Sequence, residues 1–375
     1  MARPGRASAA TGPCSNGKHR MLSLNAYFEG LLSNVNPPAD RLELAQTLPD
    51  AVRDHLVQSA LLETVLDAPI THLAGSYARF TTTDDIKDVD ILVFVDAGYE
   101  GAEPAVVLEA LAAALSDLAI KGYGKGTVRL RHKQRRSVHV EFKRSETDEP
   151  SFHLDLVPVI RGDDKTAILR IPDREWKSWD NTQPIGYAEA LTQINADFDK
   201  KVRKMIRMLK KIRNVHMASS RVPKSFWIEA AVFNLFRNGR LPNEGTYADR
   251  ILAVLEALRA DCGPTPLRIL DPCLGRILTD SWAQEEYDRF VAVLDKVLGH
   301  IHGIENEADA DKAIAVWRKV FGDAFALTDE DAADAARAKA IGTAAKVTGA
   351  GLVLPASDPT KGILSRPHTF YGDND

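Results

Sequence analysis

Long apolar runs are missing from this chain of 375 residues. None reaches the roughly 20 residues that a helix needs to cross a bilayer, and the first twenty residues lack the apolar stretch of a secretory signal. Cysteine is scarce as well: Cys14, Cys262 and Cys273 show no metal-ligand spacing and suggest no disulfide framework, which fits a reducing compartment. A cytoplasmic location with no membrane contact is the expectation. Basic charge is not in excess either. A formal net charge of -4 and a pI near 6.2 argue against a protein that coats nucleic acid non-specifically, since that task needs a broad surplus of Lys and Arg. Any phosphate contact should therefore be local. No His/Cys cluster in the sequence has zinc-ligand spacing.

What is present is an ordinary globular composition, 45% apolar and 27% charged, in a chain long enough for two packed domains. Residues 1–20, rich in Gly, Ser and Ala, read as a disordered leader. From Met21 to Val65 the apolar spacing is helical, broken at Asn36-Pro37-Pro38 and near Pro49. Val89, Ile91, Val93 and Val95 then alternate with Asp88, Asp90, Leu92 and Phe94, the pattern of a strand with one apolar face. Pro104 to Ile120 reads as a helix, and 127–130, 138–142 and 152–160 read as strands. Beyond Pro184 strand signals fade, and 188–212, 224–236, 247–259 and 285–298 carry helical periodicity. These features predict a mixed α/β domain over 21–187, N-terminal helices included, a helical domain over 188–327 and a flexible tail over 328–375.

The chemistry is concentrated in the run GSYARFTTTDDIKDVDILVFVD, where Gly75-Ser76 is followed after eleven residues by Asp88-Val89-Asp90. Because side chains alternate along a strand, Asp88 and Asp90 project from one face. Two carboxylates held that close repel unless a cation lies between them, and oxygen ligands of this kind suit Mg²⁺ or Mn²⁺. Gly75 lets backbone amides approach a phosphate, and Ser76 adds a hydroxyl donor. A Gly-Ser turn or a D-x-D pair alone is common on solvated strand edges. A third carboxylate on a neighbouring strand makes the set specific, and Asp155 in SFHLDLVPVI supplies it, sharing a face with His153 and Val157. An Asp inside so apolar a strand is costly to bury unless it meets a cation, or a nearby Lys or Arg.

This arrangement, hG[GS], then DhD, then hDhVP, resembles the polymerase-β-like nucleotidyltransferases, and more narrowly the bacterial cyclic-oligonucleotide synthases (CD-NTases) related to cyclic GMP-AMP synthase. IPDREWKSWDNTQP, with Trp179, Thr182 and Pro184, resembles the family's segment after the third Asp. IRMLKKIRN with KSFWIEAAVF resembles its helical nucleotide contacts, and AIAVWRKVFGDAF its closing helix; the likeness covers roughly residues 21–325. It implies a bilobed α+β protein, with a polymerase-β-like core, an all-helical C-terminal domain and the active site in the cleft. It implies two divalent ions held by Asp88, Asp90 and Asp155, about 3.5–4 Å apart, that promote in-line attack of a hydroxyl on the α-phosphate of an NTP, ATP above all. Arg203, Arg207 and Lys210 form a basic helix face, either solvated or turned to phosphate. By resemblance Lys210 and Ser225 contact the triphosphate, with Arg207 or Lys211 as substitutes.

The expected product is a cyclic di- or trinucleotide used in anti-phage signalling. A linear oligoadenylate synthase, another template-independent transferase, and a nucleotide-binding regulator without turnover are the competing readings. The basic segment 129–136, RLRHKQRR, is either a solvated hairpin or a contact for an acceptor nucleotide or activating nucleic acid. The ending SRPHTFYGDND places aromatics in a polar stretch, and the resemblance implies a regulatory or conjugating protein that engages such a tail. The final Asp-Asn-Asp after Gly372 departs from an ending in a small residue.

Overall fold

The computed structural model describes residues 21–59, 66–84, 88–121, 123–129, 135–143, 152–162, 168–220, 222–242, 244–278, 282–340, 345–347, 352–355 and 363–364. Helices α1 (Asn25–Asn34) and α2 (Ala39–Val57) come first, parted where Pro37 and Pro38 remove backbone donors. Along α2, Ala45, Leu48, Val52 and Leu56 recur at helical spacing and are buried against the sheet.

Nine strands follow among the described residues up to Thr182: β1 (Leu66–Ala74), β2 (Asp88–Val95), β3 (Ala119–Ile120), β4 (Gly124–Lys125), β5 (Thr127–Arg129), β6 (Val138–Phe142), β7 (Phe152–Arg161), β8 (Leu169–Asp173) and β9 (Ser178–Thr182). A single helical turn, α3 (Gly75–Ala78), follows β1, and helix α4 (Pro104–Ala114) follows β2. Seven of the strands make one sheet in the order β1-β2-β7-β6-β5, with β8 on the end of β7 and β9 beside β8; β3 and β4 form a separate ribbon. β2 and β7 run parallel, and the other pairs in the sheet are antiparallel.

The two-residue period decides what each face does. Val89, Ile91, Val93, Val140, Leu154 and Leu156 are all buried in one cluster with residues of α2 and α4. The opposite face is split. Leu92, Phe94, Val159 and Leu169 form a small apolar cluster at one end, and Asp88, Asp90 and Asp155 occupy the other. The helix expected to run from Pro104 to Ile120 stops at Ala114, continuing as a 3₁₀ turn that feeds β3.

The periodicity over 188–212 proves to be two helices, α5 (Pro184–Asp197) and α6 (Lys201–His216). Between them Asp199 and Lys200 adopt φ of 51° and 58°, and the Asn195 side chain accepts the backbone N–H of Arg203 at 3.1 Å. No Gly or Pro marks that break. Helices α7 (Ser225–Arg237), α8 (Tyr247–Asp261), α9 (Gln284–His302) and α10 (Ala310–Phe321) complete the helical part, with a capping box of Thr246 and Asp249 starting α8. Strands β10 (Ile269–Leu270) and β11 (Ile277–Leu278) pair between α8 and α9. Although α1 precedes the sheet in sequence, its Phe28, Leu31 and Leu32 belong to the core of these helices.

From Thr328, where a flexible tail is expected, the chain continues as helix α11 (Asp329–Ala340). Thr328 Oγ1 accepts the Asp331 backbone N–H at 3.2 Å, and acidic residues fill the first turn, both favourable at a helix N-terminus. Strands β12 (Ala345–Val347), β13 (Leu352–Pro355) and β14 (Ile363–Leu364) then pair antiparallel. The ending 365–375 and the leader 1–20 lie outside the described residues. No described helix is long and apolar enough to cross a membrane.

Phe28 has no solvent exposure and its ring meets Trp317 at 5.0 Å and Phe325 at 5.0 Å between centroids. Phe28→Ala is expected to lower stability by about 3–5 kcal/mol, read from the urea midpoint. An unchanged midpoint would contradict the packing of α1 on α10.

Candidate active site

Strand β1 ends at Ala74, which stands opposite Asp90 on β2. The chain turns through Gly75, at φ +73°, into the four-residue α3. A Cβ at Gly75 would lie 1.8 Å from Asp90 Oδ2. Glycine is therefore required twice here, for the left-handed backbone and for the room that the carboxylate occupies. Close approach to a phosphate is the role that the sequence suggests; the steric demand of Asp90 is an addition. Ser76 Oγ shares a hydrogen bond with Thr82 Oγ1 at 3.0 Å.

The parallel pairing of β2 and β7 sets Asp155 opposite Asp90 and His153 opposite Asp88, so the three carboxylates share one face of adjacent strands. Burial pushes the Asp90 carboxyl up to about 6; the charges of Asp155 and Asp88 push the same way, while Arg79 opposes them. Such crowding is what a divalent cation relieves, and an all-carboxylate donor set matches a hard ion. The residues present thus fit the metal that the sequence implies. Asp155 Oδ1 also lies 2.9 Å from His139 Nδ1, His139 being opposite Asp155 on β6. This contact has no sequence signal, because alternation tells which residues share a face but not which residues meet across strands.

Helix α6 governs the segment between the Gly-Ser turn and β2. The Arg203 guanidinium lies 4.9 Å over the Phe80 ring; Lys210 Nζ donates to the Thr81 carbonyl at 2.8 Å; and Arg207 Nε donates to the Thr82 carbonyl at 3.2 Å. Lys211 Nζ and Asn214 Nδ2 donate to the two Asp84 carboxylate oxygens at 2.9 and 3.2 Å. Phe80 and Asp84 have φ of 56° and 60°, a region that a bulky residue such as Phe rarely adopts without support.

Lys210 and Arg207, expected at the triphosphate, are both buried, 2% and 0% exposed, and are engaged by the protein itself. Arg207 also donates to the Leu32 carbonyl and to Asn36 Oδ1, and Lys210 pairs with Glu229 at 2.7 Å. Glu229, on α7, is a residue that sequence reasoning misses, although a Glu inside the apolar run SFWIEAAVF is an available signal. It accepts from Arg79, Thr81 and Lys210. Burial alone would raise its carboxyl, but Arg79 and Lys210 pull it down to about 2. Its stabilising contribution is thus complete above its ordinary 4.5 and lost only as pH falls through about 2. Ser225 opens α7, its hydroxyl accepting from Arg213 Nη2 at 3.2 Å. Of the basic segment 129–136, residues 130–134 lie outside the described residues; Arg135 and Arg136 pair with Asp173 and Asp180.

Comparison with known proteins places this geometry in context. Residues 22–195 match the family described as the Second Messenger Oligonucleotide or Dinucleotide Synthetase domain. Over 360 residues the chain is 25% identical to a cyclic AMP-AMP-AMP synthase of an Acinetobacter species, covering 91% of this chain and 96% of that protein. Its fold is similar to that of CdnC from Escherichia coli MS115-1, solved with a HORMA protein (TM-score 0.61, 16% identity, 81% of this chain and 99% of that one). It is likewise similar to the Vibrio cholerae dinucleotide cyclase DncV, solved as a point mutant with ATP, GTP and 5MTHFGLU2 (TM-score 0.63, 12% identity, 82% and 97%).

Two outcomes follow from the packing around Asp90. Gly75→Ala pushes its carboxylate aside, and turnover is expected to fall by about 100-fold with the protein still folded; near-normal turnover would contradict the contact. Because Asp90 is raised to about 6 from 3.8, a proton competes with a cation below that pH. Mn²⁺ is therefore expected to raise the thermal midpoint at pH 7.5 and much less at pH 5, and equal shifts at both would contradict the crowding.

Proposed function

We infer that this chain, a nucleotidyltransferase of the cyclic-oligonucleotide synthase (CD-NTase) family, joins nucleoside triphosphates into a cyclic di- or trinucleotide with release of pyrophosphate. The observation that carries the reading is the set of three carboxylates on adjacent parallel strands, with Gly75 packed against one of them. The family uses divalent metal in catalysis. We assign Asp88, Asp90 and Asp155 as the ligands, with two Mg²⁺ or Mn²⁺ ions supplying charge neutralisation on the phosphates and a lowered hydroxyl pKa when bound.

In the proposed reaction an acceptor hydroxyl forms a bond to the α-phosphorus of a bound NTP, the bond to the β-phosphate oxygen breaks, and pyrophosphate leaves. Asp155, held by His139, is the residue we assign to take up the hydroxyl proton. Gly75 and Ser76 are assigned to the triphosphate, together with Ser225. The basic contact is moved from Lys210 and Arg207 to Lys211, whose side chain is only partly buried and whose present partner, Asp84, lies four residues before Asp88. A second transfer within the cleft would close the ring. Similarity to a cyclic AMP-AMP-AMP synthase supports ATP as substrate.

The wider reading is a cytoplasmic enzyme of anti-phage signalling, with a catalytic unit through residue 187, a helical unit to 327 and a C-terminal segment available to a regulatory or conjugating protein. Retention of every carboxylate speaks against a regulator that binds nucleotide without turnover.

The test is incubation with labelled NTPs and Mg²⁺ or Mn²⁺, phosphatase treatment and mass analysis. A phosphatase-resistant cyclic product is expected from the parent, with at least about a 100-fold loss in Asp90→Asn and Asp155→Asn that remain folded. A product that loses its terminal phosphates and survives as an open oligonucleotide would establish linear synthesis instead, and absence of any product would favour the regulator.

A further inference from the structure

His139, which holds Asp155, belongs to a group of side chains beside the site whose other members have no part in the proposed reaction. His139 and Glu141 project from β6 on the same face as the three carboxylates, and the antiparallel register sets Glu141 opposite His153 on β7. One ligand atom from each of the three lies within 4.8 Å of the others. His139 Nε2 is 3.8 Å from Glu141 Oε1, and the two imidazoles stack with centroids 4.7 Å apart. His139 is buried, whereas Glu141 and His153 keep some exposure, so an ion has access from solvent.

We propose that His139, Glu141 and His153 form a second cation site, distinct from the carboxylate site and suited to a transition-metal ion such as Zn²⁺. Two imidazoles and one carboxylate are a borderline-soft donor set, typical for Zn²⁺ with a fourth position left to water, and unlike the all-oxygen set that suits Mg²⁺. Around an ion with Zn–N bonds of about 2.0–2.1 Å, tetrahedral ligands stand roughly 3.3 Å apart, so side-chain rotations of about an ångström bring these groups into place. The second requirement of such sites is also met. A metal-bound histidine usually donates its other nitrogen to a carboxylate, and His139 Nδ1 faces Asp155 Oδ1 at 2.9 Å, leaving Nε2 for the ion.

An ion at Nε2 would fix the Nδ1–H tautomer and hold one Asp155 oxygen on His139, leaving the other toward β2. That consequence, transition-metal control of the synthase, rests on the proposed role of Asp155; the ion site itself does not.

The experiment uses the full chain, stripped by chelator, carrying Asp88→Asn and Asp90→Asn so that the carboxylate site is disabled. Zn²⁺ is titrated in competition with a chromophoric chelator, and Co²⁺ is followed by its visible d–d absorption. One equivalent of Zn²⁺ is expected to bind, at least about tenfold more weakly in His153→Gln and in Glu141→Gln, with the Co²⁺ bands lost. X-ray absorption of the Zn²⁺-loaded protein without those two changes is expected to show two imidazoles in the coordination shell, a readout that needs no further variant to fold. Absence of stoichiometric binding, a shell with sulfur or fewer than two imidazoles, or undiminished binding in both folded variants would overturn the proposal. Because the nucleotidyl-transfer carboxylates are disabled throughout, either result is independent of whether the chain makes a cyclic product.

Discussion

The turn that leads to the carboxylate face depends on the grip of helix α6 on residues 80–84. Five side chains of one helix, Arg203, Arg207, Lys210, Lys211 and Asn214, engage Phe80, Thr82, Thr81 and Asp84 in turn. That segment follows the Gly75-Ser76 turn and is bonded to it, Thr81 N–H donating to the Ser76 carbonyl at 3.0 Å, so the grip ties the turn to α6, while β2 is held by its pairing with β1 and β7. Positive φ at Phe80 and Asp84 is a local cost that these contacts offset. Glu229 makes the grip possible, since Arg79 and Lys210 would otherwise be buried cations without a counter-charge.

Charge links this framework to the chemistry. The group of Arg79, Lys210 and Glu229 holds two cations against one anion, and Arg79 is the one that lowers the proton affinity of Asp90 against its carboxylate neighbours. The balance still favours a proton at Asp90 up to about pH 6, so a cation binding there gains by ending the repulsion. The face is thus only partly compensated, a crowding that a divalent cation would relieve.

The carboxylate pattern is legible in the sequence because it depends on local rules. Strand alternation alone puts Asp88 and Asp90 together, and the apolar surroundings of Asp155 single it out. The contacts of His139 are not legible, since they follow from the register between β6 and β7, which no local pattern fixes. The basic face of α6 is visible, yet periodicity cannot say what a face meets; burial against Phe80–Asp84 reverses the expected exposure of Arg207 and Lys210. The break between α5 and α6 escapes a sequence reading because Asn195 caps it from five residues before Lys200, without Gly or Pro. Helix α11 escapes it because its Ala-rich sequence has little apolar periodicity, whereas its Thr328 cap is a property of geometry.

The most direct test is anomalous diffraction from crystals grown with Mn²⁺ and a non-hydrolysable ATP analogue. Two manganese peaks are predicted between the triphosphate and Asp88 and Asp90, one of them also touching Asp155. Nucleotide bound in the cleft with no manganese at these carboxylates would contradict the account.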